Sequence, residues 1–319
     1  MAYTQYTFDL GEYTAYEIKF VGRNGAKGEK RDKRHKATPE QMSRQNQWNK
    51  EKNLKYTIIA NFNTGDAWTT LKYPRGTRPN ADRMRKDWKK FRRLMAAYYK
   101  KHGIPFKWIK RMEIGKFGGP HIHLLVNHID NIDLVIKEMW QKAIADLWIA
   151  GRNYVNIAPF DIDGAEDVAK YLAAEPEKKE IEGQYNLFGE EEQKAFTRVD
   201  TSRNIIRPEA KKKNYAHWKV TRFFRDGIKP KPGYYIIPDS VKVGVNKITG
   251  YSYIYYMERR LTTGAKSPGD RIFPKWERQF DEECKNIHLH VYQDVKKKQR
   301  SSRLRFIIYN PKQQRSYTQ

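Results

Sequence analysis

The chain has 319 residues, with 63 Lys plus Arg against 37 Asp plus Glu, a formal net charge of +26 and one cysteine, Cys284. That length allows one large domain or two ordinary ones with a real hydrophobic core. A lone cysteine excludes an internal disulfide framework, and a mean hydropathy of −0.92, with no apolar run near the roughly 20 residues a membrane span needs, argues against a membrane protein. Eight Trp and 21 Tyr are more than a solvated, disordered chain carries. The start of the chain lacks the basic-then-apolar pattern of a signal peptide. The expectation is a soluble cytoplasmic protein whose basic surface meets a polyanion, nucleic acid first.

In chain order, residues 1–21 alternate loosely (Tyr6, Phe8, Leu10, Tyr16, Ile18, Phe20) and read as one or two edge strands. Residues 22–36 form a Gly-rich basic stretch, a linker or a DNA-binding arm. Thr38-Pro39-Glu40 signals a helix start, followed by a polar helix through Lys52. Lys55–Phe62 and Ala67–Tyr73 read as strands rich in β-formers. Asn80 caps a helix with Met84, Trp88, Phe91, Met95 and Tyr98 on one face and a series of basic residues on the others; Gly103 stops it. Phe106–Ile114 and His121–Asn127 read as a hairpin across Gly118-Gly119-Pro120.

A second amphipathic helix follows, capped by Asp130 or Asn131, with Ile132, Val135, Met139, Ala143 and Leu147 on its face and Gly151 at its end. Tyr154–Ala158 is a strand and Gly164–Ala174 a short helix. Strand, helix, strand, strand, helix, strand is the split βαβ order, so the fold class expected is α+β: a ferredoxin-like core with a largely antiparallel sheet and both helices on one face, plus N- and C-terminal extensions. The boundaries expected are 1–54 for the N-terminal strands, linker and helix, 55–175 for the core, 176–199 for an acidic loop or insertion, and 200–319 for a basic C-terminal region, DNA-binding or accessory. Strand-like runs recur at 234–237 and 251–257, and a basic run at 294–305.

Chemistry first appears at His121-Ile122-His123. Residues i and i+2 of a strand share a face, so both imidazoles can approach one divalent ion. The motif alone is weak, and a second copy stands at His288-Leu289-His290. Glu113, on the preceding strand, favours the first copy: two His and one carboxylate with open positions is a known metal site. Tyr171, on the short helix, is the candidate nucleophile. A phenol with a pKa near 10 acts only where positive charge stabilises the phenolate. By spacing alone Tyr171 is equally one packing aromatic among 21 tyrosines.

The ordered set WTTLKYP (68–74), Glu113 with GGPHIHLLVN (118–127), and DVAKYLAAE (167–175) resembles the three motifs of HUH endonucleases. It is most similar to the rolling-circle replication initiators of bacterial plasmids, phages and integrative elements. Flanking elements around 38–40, 201–204, 231–234 and 244–246 extend the likeness to roughly residues 38–258. The resemblance implies a nuclease core in which Glu113, His121 and His123 hold Mn²⁺ or Mg²⁺ and Tyr171 attacks the scissile phosphate of single-stranded origin DNA. The products would be a 5′-phosphotyrosyl enzyme and a 3′-hydroxyl that primes synthesis. Position 174, where the family pattern has a lysine one turn after the tyrosine, is alanine; Lys170, Lys178 and Lys179 are the candidate phosphate-assisting cations. No Walker A pattern is present, so a host helicase and polymerase would complete replication. A mobilisation relaxase with the same chemistry, and a non-catalytic nucleic-acid-binding protein on a decayed nuclease fold, are the alternatives.

Arg83, Lys86, Lys89, Lys90 and Arg93 are the candidate DNA-backbone contacts, with salt-sensitive affinity expected; Trp68, Trp108 and Trp218 could stack bases if exposed. Within the acidic loop, Gln184-Tyr185-Asn186-Leu187-Phe188 resembles the short peptide by which bacterial proteins dock on the polymerase sliding clamp, with Gln184, Leu187 and Phe188 as the anchors. The alternative is that Leu187 and Phe188 fold back on the chain's own core.

Overall fold

A computed structural model describes residues 3–22, 36–77, 79–114, 119–174, 198–215, 221–246 and 249–261. They divide into two compact units, one containing residues 8–14 and 37–210, the other residues 1–7, 15–36 and the chain from 211 onward.

The first unit opens with α1 (Pro39–Ile59). Thr38 caps it through a reciprocal pair: the Gln41 backbone N–H donates to Thr38 Oγ1, and the Thr38 N–H donates to Gln41 Oε1. The strand expected from Lys55 is therefore the last turn of this helix. A helix already nucleated extends at one hydrogen bond per residue fixed, and the preference of Ile58 and Ile59 for strands amounts to only tenths of a kcal/mol. Burial of Tyr56, Ile58 and Ile59 at the helix end settles it.

The sheet of this unit contains β3 (Ala67–Lys72), β4 (Trp108–Ile114), β5 (Pro120–Val126), β6 (Val155–Pro159) and the short β7 (Asp200–Thr201). Its order is β6-β3-β5-β4-β7, and every adjacent pair is antiparallel. Between the strands run α2 (Ala81–Lys101), α3 (Ile132–Ala143) and α4 (Ala165–Ala173). Asn80 caps α2 by accepting from the Arg83 N–H, and α2 ends where Gly103 takes positive φ (70°) while the Ile104 N–H reaches back to the Tyr99 carbonyl. Helix α3 is shorter than its apolar period suggested. It stops at Ala143, although Leu147 still packs on the core. Asn131 begins it in the left-handed region without a side-chain cap.

Strand alternation gives the sheet two distinct faces. Leu71, Trp108, Met112, Ile122, Leu124 and Val126 form a core with Met84, Trp88, Phe91 and Met95 of α2 and Val135, Ile136, Met139 and Trp140 of α3. Both long helices thus cover one face. The register places Glu113 opposite His121, and both Thr70 and Arg111 opposite His123, all on the other face.

The second unit carries a six-stranded sheet of β1 (Tyr3–Leu10), β2 (Tyr13–Phe20), β8 (Ala210–Tyr215), β9 (Tyr234–Ile236), β10 (Lys242–Asn246) and β11 (Tyr251–Arg260), with a one-and-a-half-turn helix α5 (Thr221–Asp226). The order β10-β11-β2-β1-β8, with β9 also paired to β11, puts β1 and β2 inside the sheet. They are not the edge strands that their loose alternation suggested, and β2 is correspondingly buried over most of its length. Tyr3, Tyr16, Ile18, Val243, Tyr251 and Ile254 form the core here.

Candidate active site

On the uncovered sheet face, three side chains from three segments converge on one atom. His121 Nε2 and His123 Nε2 each lie 2.9 Å from Glu113 Oε1, and the Tyr171 hydroxyl donates to the same oxygen at 2.8 Å. The hydroxyl also stands 2.7 Å from His123 Nε2. Tyr171 is 45% exposed, so an incoming group can reach its oxygen. The Trp68 ring stacks on His123 at 5.8 Å and meets Tyr171 edge-on at 6.2 Å, walling the cluster on one side.

The far nitrogens of the two histidines are also engaged. His121 Nδ1 donates to the Gly119 carbonyl at 2.8 Å, and His123 Nδ1 lies 3.2 Å from Thr70 Oγ1. Occupied Nδ1 atoms leave both Nε2 atoms facing the carboxylate, the orientation a metal-binding imidazole needs. Glu113, His121 and His123 are the one group of metal-capable side chains found among the described residues, with ligand atoms within 4.8 Å of one another. Two imidazole nitrogens and a carboxylate oxygen suit a divalent first-row ion or Mg²⁺. The residues present therefore fit such an ion.

Electrostatics agree. Burial opposes the charge on Glu113, but hydrogen bonds from His121 and His123, the His123 charge and the Tyr171 hydroxyl outweigh it and hold the carboxyl well below the usual range. Burial pushes His123 down despite Glu113. The Tyr171 phenol is raised, first by burial and then by the hydrogen bond to, and charge of, Glu113; Arg111 works in the opposite direction.

Arg111 is a residue the sequence reading passed over. It is 4% exposed and lies two positions before Glu113 on the same face. Its Nη1 donates to the Tyr171 carbonyl at 2.9 Å and the Leu172 carbonyl at 3.1 Å. Its Nε, 3.3 Å from Glu113 Oε2, makes no hydrogen bond, so that contact is coulombic. Gln47 of α1 donates to the next carbonyl, Ala173, at 2.9 Å. The last three carbonyls of α4, which the helix itself cannot satisfy, are thus held from outside, and Tyr171 is anchored through them. The i, i+2 spacing of Arg111 and Glu113 was the signal available in the sequence.

The other candidates are dispersed. The Lys170 ammonium lies 2.9 Å from Glu166, which Lys55 also binds, and takes no part in the hydrogen-bonded cluster. Lys72 stands opposite His121 in the β3–β5 register, exposed and on the same face. Arg83 is tied to Asp87 and Asp146, whereas Lys86, Lys89, Lys90 and Arg93 line an open groove. Trp108 is buried in the floor of that groove. Lys178, Lys179, Gln184, Leu187, Phe188, Trp218 and the His288–His290 pair lie outside the described residues.

Residues 66–180 match a family model of replication-associated proteins, the ORF2 type. The match supports a replication initiator, and it spans β3 through α4 with every member of the cluster. No curated protein and no solved structure matches the chain. No helix among the described residues is long and apolar enough to cross a membrane.

Proposed function

We propose that the chain is a site-specific single-stranded-DNA endonuclease and strand transferase that nicks a replication origin through a 5′-phosphotyrosine linkage and so starts rolling-circle replication. The observation that carries this reading is the exposed Tyr171 hydroxyl at 2.8 Å from the carboxylate that both His121 and His123 address. The strand order β6-β3-β5-β4, that of a ferredoxin-like split βαβ core, and the match of residues 66–180 support it.

Tyr171 Oη attacks phosphorus in line; an O–P bond forms to the tyrosine and the P–O3′ bond breaks, leaving a 3′-hydroxyl. The phenolic proton, donated to Glu113 Oε1 in this structure, departs as the new bond forms. A divalent ion on Glu113, His121 and His123, when bound, would supply Lewis-acid stabilisation of the scissile phosphate. The Glu113 charge opposes the phenolate, so neutralising that charge favours attack. Arg111 holds the α4 carbonyls and through them the tyrosine's position. Lys72 is the exposed cation on this face that can meet a phosphate oxygen in place of the lysine missing at Ala174. The resealing step reverses the chemistry with the same bonds and needs no ATP.

The test is incubation with a randomised single-stranded DNA pool and Mn²⁺, resolved on denaturing gels. A covalent adduct is expected from the unaltered protein and from neither Tyr171→Phe nor His121→Ala. An adduct surviving Tyr171→Phe would move the nucleophile elsewhere, and no adduct from any strand would overturn the enzymatic reading.

A further inference from the structure

A groove of about 700 Å³ opens on the outer side of α2, away from the Tyr171 cluster. One wall is α2. Lys86, Lys89, Lys90 and Arg93 follow i, i+3, i+4, i+7 spacing, which aligns them on one helix face. The apolar face of the same helix, from Met84 to Met95, is consumed by the core. The opposite wall is Ser202-Arg203-Asn204, and the floor is Phe106 and Trp108. No acidic side chain lines it. Among the described residues, none of the cations lining the groove is held in an ion pair, in contrast to Arg83 one turn before Lys86.

The groove is built rather than incidental. The Ser202 N–H donates to the Trp108 carbonyl at 2.9 Å, and Ser202 Oγ accepts from the Trp108 N–H at 3.2 Å. Asn204 Nδ2 donates to the Phe106 carbonyl at 3.2 Å. Trp108 meets Trp88 edge-on at 4.9 Å, and Phe106 packs on Tyr99 at 4.8 Å, so the floor is fixed before any ligand arrives. Trp108 belongs to the sheet face opposite His121 and His123, and it lies five residues along β4 from Glu113, roughly 17 Å at the rise of a strand. The groove is therefore a separate place from the reaction centre.

A clustered, unpaired cationic wall selects a polyanion, and an aromatic floor between such walls selects a ligand with flat apolar faces. One nucleotide of a single strand has both. A duplex, whose bases are stacked inside a cylinder about 20 Å across, can offer the groove only phosphates. We propose that this groove is a second, non-catalytic site for single-stranded DNA, with phosphates on the α2 cations and Arg203 and a base against Phe106 and Trp108. The proposal rests on the nicking reading for its substrate. It adds a hold on the same strand away from Tyr171, one that keeps a flank of the origin bound after the chain is cut.

The experiment uses the full-length protein, a fluorescent 25-nucleotide single strand carrying 5-iodouracil, and the triple variant K89A/K90A/R93A, checked by circular dichroism for an unchanged melt. Photocrosslinks are expected within residues 106–108 or 202–204. The variant is expected to bind about tenfold more weakly near 0.1 M salt, with a salt slope smaller by about two for three lost phosphate contacts. A duplex of equal length should compete poorly. Crosslinks lying wholly elsewhere, variant affinity within twofold of the unaltered protein, or equal competition by duplex would each overturn the groove. The nicking reading fails separately, by absence of the Tyr171-dependent adduct, which none of these binding measurements uses.

Discussion

Replacing Arg111 by methionine isolates what anchors the tyrosine helix. Methionine fills a similar volume but removes both donors to the Tyr171 and Leu172 carbonyls. Hydrogen bonds from a charged group contribute about 1.5–3 kcal/mol each. The desolvation of a guanidinium that is 4% exposed is relieved at the same time, which offsets part of that loss. A net destabilisation of about 3 kcal/mol is expected for the unit holding the site, read from urea unfolding followed by tryptophan fluorescence. Hydrogen exchange should report the same event locally, with protection lost across 165–173 before the sheet strands lose theirs. Adduct formation should fall about a hundredfold, the cost of a displacement near 1 Å at a reacting centre. Gln47→Ala, which frees only the Ala173 carbonyl, should cost about 1 kcal/mol. Stability within about 0.5 kcal/mol of the unaltered protein, with α4 exchange unchanged, would refute the anchoring role.

Other expectations follow from the same geometry. Mn²⁺ at a hundredfold excess over its dissociation constant should raise stability by about 2.7 kcal/mol; H121A/H123A should lose that gain, and an equal shift in the variant would place the ion elsewhere. Thr70→Val removes the partner of His123 Nδ1 and should weaken Mn²⁺ binding about tenfold or more in titration calorimetry. Lys72→Ala should slow adduct formation about a hundredfold while leaving the melt unchanged; an unchanged rate would assign the phosphate-side charge to another residue. In the second unit, Glu258 is 1% exposed, accepts from the Tyr16 hydroxyl at 3.0 Å, and is raised by burial. Its folded form binds the proton more tightly than the unfolded chain does. The stability it contributes is therefore present below about pH 4.5 and is lost as pH rises through the folded value. Glu258→Gln should flatten that dependence in urea melts across the acid range, and an unchanged slope would contradict the assignment.

Some of this architecture could be read directly from residue patterns. The Met84–Trp88–Phe91–Met95 period located α2, Asn80 and Gly103 marked its ends, and the alternation around Ile122 placed His121 and His123 on one face. These signals are local: a period or a cap is complete within a few residues. The reading failed where local preference was weak. Residues 55–59 look like a strand in isolation and are helical because the helix from Thr38 continues into buried packing. The strands of 3–20 look like edges and are interior because β8 and β11 come from more than a hundred residues away to flank them.

The sequence by itself determined the residue types of the site, the order of helices and strands that carries them, and the surplus of positive charge. Only the tertiary structure decided that Tyr171, 58 residues from Glu113, shares its oxygen with two histidines. It alone showed that Arg111 and Gln47 hold the end of the tyrosine helix, and that four cations of α2 face Ser202-Arg203-Asn204 across an aromatic floor. The reason is the range of the interactions. Helix periods and caps are fixed by neighbours along the chain, whereas a convergent site is fixed by strand register and helix packing, which bring together residues whose spacing carries no pattern.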